Sequence, residues 1–379
     1  MTDPLEHIRR LAQEIGPRPS TGEGERRAAA YIAERFEGFG YTVKTEAFRA
    51  PASFGYAYMV TQALVLAGFV AGALDRAAIG LLLAGVGVVA FLGENTTALR
   101  IAALVVPRGR SQNVVARLAP RNLPRRRLVL CAHYDSTRSG LMWHPRLVRS
   151  FRLTFFLVLA AMLAVALLDA AEAVTKLRLF WYASIPFAAI VLYAFGLLVH
   201  RELAFEHVPG ANDNASGVAV MLSLGEALAM DAPADTEVVA VATGCEESGL
   251  WGMQSFLNHH KDELQRAWII NVDNVGAGKV FCTSAEGMLL RHKSGREISE
   301  VAKSVAGGLG VGSHGFRLMS TDAEPALVRG YDAISLMAAG PDGVPLNWHW
   351  KTDTYENVDP DSVDTAYRLL EAMVRRLIA

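Results

Sequence analysis

The sequence predicts an α/β protein: a mostly parallel, mixed central sheet flanked by helices, with four inserted transmembrane helices in two hairpins. Three observations predict it. Short apolar runs bounded by turn residues alternate with helical patterns, as in sheets covered on both faces. Four long runs carry no charge at all. Hydrophobic residues fill 51% of the 379 positions and charged ones only 20%, against about 25% charged in an ordinary soluble domain.

Taken in order, residues 4–15 and 23–37 have helical periodicity, the second stopping at Gly38 and Gly40. Strand-like runs follow at YTVKTEAF, NVVARL, RLVLCAH, TEVVAVAT and AWIINVD, and helical patterns at 216–229, 250–260, 294–306, 322–329 and 361–378. The charge-free runs are 54–74 with 77–93, parted only by Asp75 and Arg76, and 153–168 with 179–199. The second pair is joined by the polar stretch DAAEAVTKLR, 169–178. A spanning helix needs about 20 apolar residues, so these are two hairpins. The run 153–168 is short and needs Phe151 and a snorkelling Arg152 to reach full span. Phe155, Phe156, Phe180, Trp181 and Tyr182 gather where membrane interfaces should fall. The division is therefore 1–53, 94–152 and 200–379 for one water-exposed catalytic domain, with hairpins at 54–93 and 153–199.

Charge and cysteine usage narrow the function. Lys plus Arg number 37 against 38 for Asp plus Glu, so no basic surface calls for nucleic acid. Cys131, Cys245 and Cys282 are too few and scattered for a disulfide framework or a cysteine zinc site, and suit a reducing compartment. The N-terminus lacks the apolar core of a cleavable signal. An even number of crossings leaves all water-exposed parts on one side. Their flanks hold Lys44, Arg49, Arg100, Arg108, Arg110, Arg138, Arg146, Arg149, Arg152 and Arg201, whereas the hairpin tips hold Arg76, Lys176 and Arg178 among acids. That bias predicts a multi-pass protein of the cell membrane with its catalytic domain in the cytoplasm.

The chemistry-bearing residues follow the strand runs, where ligands collect in open α/β sheets. His133 ends one strand, with Asp135 two positions on, a spacing that lets a carboxylate steady a metal-bound imidazole. Asp213 lies in GANDNASG before a helix, Glu246 and Glu247 in GCEESG, Asp273 at the end of IINVD, and His349 in NWHWKTDTYEN. Each alone has an ordinary reading: a packed histidine, an N-cap, a solvated pair of glutamates. Together, two histidines and three carboxylates supply nitrogen and oxygen donors for two divalent ions, with a fourth carboxylate left as a base. GGLGVG at 307–312 follows a helix, not a strand, and GAGK at 276–279 lacks phosphate-loop spacing.

The strings GPRPSTGEGERRAAAYIAERFEGFGYTV, NVVARL, CAHYDS, GANDNASG, CEESGLWG, NVDNVG and the His349 segment resemble, in order, the co-catalytic dizinc aminopeptidases, the twenty-eighth metallopeptidase family, which has the zinc exopeptidase fold. The resemblance implies two Zn²⁺ per chain. His133 and Glu247 would bind one ion, Asp273 and His349 the other, and Asp213 would bridge them, with a cis peptide bond to Asn214. Asp135 would orient His133, and Glu246 would be the base activating a metal-bridging water to release N-terminal residues from peptides. Relatives carry Ser-Asp-His before the last strand, whereas this chain has Asp322 followed by Ala323, which leaves substrate-side contacts open. The hairpins are a second departure and make the lipid bilayer a partner. Two other readings stay open: a glutaminyl-cyclase-like single-zinc acyltransferase, and an inactive receptor or scaffold on the same fold. The sequence does not fix an oligomeric state.

Overall fold

The computed structural model describes residues 2–96 and 100–379. Residues 97–99, within the stretch assigned above to the catalytic domain, lie outside the described residues. The chain forms two compact units: 1–52, 108–139 and 206–379 in the first, 53–107 and 140–205 in the second. Residues 94–96, 100–107, 140–152 and 200–205, placed with the catalytic domain from sequence, thus pack with the apolar helices.

The first unit is built on nine strands: β1 (Thr42–Pro51), β2 (Arg108–Leu118), β3 (Arg126–His133), β4 (Thr236–Thr243), β5 (Trp268–Val272), β6 (Lys279–Glu286), β7 (His292–Lys293), β8 (Gly312–Gly315) and β9 (Asp332–Ala339). Their order is β1-β2-β4-β3-β5-β9-β6-β7, with β8 beside β6. β4, β3, β5 and β9 run parallel, and β1, β2, β6 and β7 make antiparallel pairs. The mixed sheet flanked by helices is the predicted class. β6, β7, β8 and β9 are not among the runs read from sequence. VFCTSA is interrupted by a buried Thr283 and an exposed Ser284, and GSHG has no apolar pattern to read.

Residue alternation explains the layering. Leu128 and Leu130 of β3 join a core with Val114, Val238, Ile270 and Leu336, under helices carrying Ile32, Met221 and Leu370. Val129 and Cys131 turn to the opposite core with Val115, Val239, Ile269 and Phe256. A period of two thus serves two buried faces. Helix Pro360–Ile378 shows the matching helical period: Val363, Ala366, Leu369, Leu370, Met373 and Val374 are buried. Its start is set by Pro360 in the first turn and by Asp359, whose side chain accepts from Asp361 N. Because β3, β4 and β5 run parallel, their carboxyl ends meet at one edge. The candidate ligands leave from that edge.

Among the described residues, the second unit holds four helices long and apolar enough to cross a membrane: Phe54–Ala73, Ala77–Asn95, Leu179–Ala204, and a third whose continuous α-helix is Phe151–Thr175. That third helix corrects the sequence reading at both ends. It begins at Phe151, as full span requires, and it continues through most of the stretch read as a polar connector. Asp169 is consequently buried inside the bundle, so the helices are not free of charged residues. It fits there because Gly72 and Gly80 leave room: a Cβ on either would lie 3.3 or 3.2 Å from its carboxylate. Beside it, Arg178 donates to Gly72 O (2.5 Å) and Glu172 (2.8 Å), and the Trp181 indole donates to Phe69 O (3.1 Å). These bonds tie the end of one hairpin to the other.

The first hairpin is closed by small residues. A Cβ on Gly68 would meet Gly80 O at 2.7 Å, and one on Gly87 would meet Thr61 O at 2.7 Å. Close helix approach through small residues is how apolar helices gain packing where no hydrophobic drive acts between them. Gly68→Val is therefore expected to separate the pair and lower the thermal midpoint of the detergent-solubilised chain by several degrees. Gly85→Ala, at a glycine with open space around it, should change it little. Differential scanning fluorimetry on both variants checks this.

Candidate metal centre

The five predicted ligands and Glu246 converge at the carboxyl edge of the sheet. His133 closes β3, Asp273 follows β5 directly, and Glu246 and Glu247 lie in the turn after β4. Asp213 enters from the loop before helix Ser216–Met230, and its peptide bond to Asn214 is cis. His349 comes from the long loop after β9, in the left-handed region at φ 56°. All five candidate ligands are buried, none more than 7% exposed. Glu246 keeps partial access to solvent.

The geometry forms two groups sharing Asp213. His133 Nε2 lies 3.0 Å from Asp213 Oδ1 and 3.5 Å from Asp273 Oδ1. His349 Nε2 lies 3.0 Å from Asp213 Oδ2 and 3.4 Å from Glu247 Oε1. In each group the donor atoms lie within 4.8 Å of one another. Tetrahedral zinc with bonds of about 2.0–2.2 Å separates its donors by roughly 3.3 Å, so these spacings fit an ion at each centre. The grouping corrects the resemblance-based pairing. His133 goes with Asp273, and Glu247 with His349; β4 and β5 both flank β3, so it is the reach of the side chains from the loops, not strand adjacency, that sorts them.

Electrostatics agree with the donor set. Burial opposes charge on His133, yet Glu246, Asp135, Asp213 and Asp273 hold its imidazole well above the ordinary value. Burial likewise opposes charge on His349, but Glu247 and Asp213 raise it to about 9. Desolvation would raise Asp213, and hydrogen bonds to the two histidines outweigh it and hold it low. Such a crowd of carboxylates gathers positive charge, from protons or from cations. Glu247 Oε1 is buried and accepts no hydrogen bond, as expected of an oxygen meant for an ion.

Asp135 lies beside His133 and also holds the glutamate turn. Its main-chain carbonyl, not its carboxylate, faces His133 Nδ1 within hydrogen-bond range, at 3.2 Å; Oδ1 is 3.5 Å away. Its carboxylate accepts from Glu246 N (3.1 Å), Glu247 N (3.2 Å) and Ser20 Oγ (2.7 Å). The two glutamates lie in a turn where Gly249 N and Leu250 N both bond Glu246 O at 2.7 Å.

Other residues support the centre, and one of them, Asp353, escaped sequence reading. Asp353 is buried and accepts from Asn212 N (2.6 Å) and Asp213 N (3.2 Å), fixing the shared ligand's backbone. Burial and the Asp213 charge push its carboxyl up to about 7. Asn214 caps Gly217 N (2.9 Å) and donates to Val272 O (2.9 Å), stitching the Asp213 loop to β5. Asp322, whose neighbour departs from the resembled pattern, is buried and hydrogen bonded to the Thr243 hydroxyl, with burial raising it to about 7. Only its place two hydroxyl residues after the loop start, in STDA, hinted at a role.

Comparison with known proteins completes the picture. Residues 198–374 match the family model described as Peptidase family M28. The chain is 28% identical over 176 residues to the aminopeptidase YwaD of Bacillus subtilis, covering 44% of this chain. It spans 37% of the length of that curated relative. Among solved structures it is similar to BSAP, a zinc aminopeptidase from Bacillus subtilis (TM-score 0.59, 17% identity, 99% of this chain and 94% of that one). It is also similar to a glutaminyl cyclase from Porphyromonas gingivalis (TM-score 0.56, 14% identity, 99% and 98%). At these identities the structural likenesses establish the fold, the zinc exopeptidase α/β sheet. The family match lies across Asp213, Glu246, Glu247, Asp273 and His349, in the predicted order, so this part of the chain is similar to peptidase family M28.

Proposed function

We propose that this chain is a membrane-anchored dizinc aminopeptidase that removes N-terminal residues from peptides. The observation carrying the reading is the pair of three-donor groups sharing Asp213, with partly exposed Glu246 on the adjoining turn. His133, Asp213 and Asp273 would hold one zinc, and Asp213, Glu247 and His349 the other. When bound, the ions lower the pKa of a shared water and polarise the scissile carbonyl. Glu246 takes the proton of the attacking water and delivers it to the leaving amine. Asp135, through both main-chain N–H groups of the turn, holds Glu246 in place for that transfer. A single-zinc cyclase shares the fold, but two complete donor groups favour the two-ion hydrolase. The test is digestion of one peptide with a free or an acetylated N-terminus, followed by mass spectrometry. Stepwise shortening of the free peptide alone is expected; cleavage of both, or of neither, would overturn the aminopeptidase assignment.

The four apolar helices and the arginine-rich flanks support a multi-pass protein whose catalytic unit faces the cytoplasm. A reporter after Ala379 is expected to behave as cytoplasmic, and a tag inserted at Lys176 as external. Protease accessibility of the C-terminal reporter in intact cells would reverse the orientation.

A further inference from the structure

The N-terminal segment Gly16–Glu25 carries none of the ligands, yet it reaches three of the five segments that do: the end of β3, the Asp213 loop and the glutamate turn. Arg18 is fully buried. Its guanidinium donates only to main-chain carbonyls: Tyr134 O (2.6 Å), Leu11 O (3.0 Å), Gly16 O (3.1 Å), Pro209 O (2.6 Å) and Gly210 O (2.8 Å). Tyr134 lies between His133 and Asp135, and Gly210 opens the loop to Asp213. Gly210 has φ 63°, and a Cβ there would lie 2.5 Å from Asp213 O and 2.9 Å from Arg18 Nη2. The guanidinium therefore occupies a space the loop leaves for it. Burying such a charge costs several kcal/mol unless its donors are satisfied, and here they are.

The same segment continues with two more attachments. Ser20 Oγ donates to Asp135 Oδ2 (2.7 Å), whose carboxylate holds the glutamate turn. Glu25 is fully buried, and its Oε1 accepts from Cys245 N (3.0 Å), Cys245 Sγ (3.3 Å) and Ser111 Oγ (3.0 Å). Cys245 has φ 54°, a conformation a non-glycine residue keeps only when its surroundings impose it. Glu25 imposes it one residue before Glu246.

We infer that Gly16–Glu25 is a positioning strap for the metal centre: Arg18 sets the Asp213 loop against β3, and Glu25 sets the turn bearing Glu246 and Glu247. This rests on the two-ion reading above. Lysine cannot replace Arg18, because one ammonium cannot span carbonyls from three loops. Partners that orient ligands typically contribute 10–100-fold to metal affinity.

The test is zinc affinity, measured by competition with a chromophoric chelator on the full chain in detergent, at a temperature where circular dichroism shows each variant folded. Arg18→Lys and Glu25→Ala are expected to bind zinc 10–100-fold more weakly, with Glu25→Gln restoring most of the Glu25 loss. Leu369→Ala, a buried position in the core helix, serves as the control and should lower thermal stability without this loss. If Arg18→Lys does not fold, Ser20→Ala removes one hydroxyl only and should still weaken binding several-fold. Unchanged affinity in these variants, or an equal loss in Leu369→Ala, would overturn the strap. A wild-type chain that binds zinc but sheds no N-terminal residue would refute the peptidase reading and leave this inference standing.

Discussion

Glu246→Gln is expected to lower kcat by roughly 10²–10⁴-fold, the usual contribution of a positioned general base, with metal content unchanged. The amide is nearly isosteric with the carboxyl, and the turn holding it is built from main-chain bonds to Asp135 that the substitution leaves alone. KM should therefore move little. Steady-state kinetics with an aminoacyl reporter, beside elemental analysis of the same preparation, separate the two quantities. A variant with both metals and near-wild-type turnover would remove Glu246 from the reaction.

Asp213→Ala is expected to be the most damaging single change to the centre itself. Its two carboxylate oxygens face different histidines at 3.0 Å each, so truncation takes one donor from both groups at once. Zinc content should fall from two ions per chain to one or none, with hydrolysis lost alongside. Asp273→Ala, which belongs to the His133 group only, should spare the His349 group. Elemental analysis that finds two ions in Asp213→Ala would show that the residue does not bridge.

Much of this was legible in the sequence, for definable reasons. β3, β4 and β5 are buried on both faces and so appear as short continuous apolar runs, with His133 ending the first, Glu246 three residues after the second and Asp273 directly after the third. The candidate ligands could be found because histidine and acid side chains directly after such runs are costly to bury without a purpose. What could not be read was how separate segments pair in space. Whether His133 joins Asp273 or Glu247 depends on how the segments after β4 and β5, which both flank β3, fold over the sheet edge, and local periodicity does not encode that. The role of Asp135 depends on where β3 stops, a matter of one residue. Arg18, Glu25 and Asp353 look in sequence like ordinary surface charges, in GPRPS, in a helix start and in KTDTYEN. Their burial is a tertiary fact. Asp169 misled for the opposite reason: an acid at the end of an apolar run reads as a connector until glycines on neighbouring helices are seen to make room for it.

The central claim is that two ions, held through a shared Asp213, support N-terminal hydrolysis. The most direct measurement is a zinc titration of the metal-free chain while the free amino acid released from an unblocked peptide is counted. The expected result is a rate that reaches its plateau at two equivalents of zinc per chain, with the product one residue shorter than the substrate. A plateau at one equivalent, or a cyclised N-terminus in place of a released residue, would contradict it.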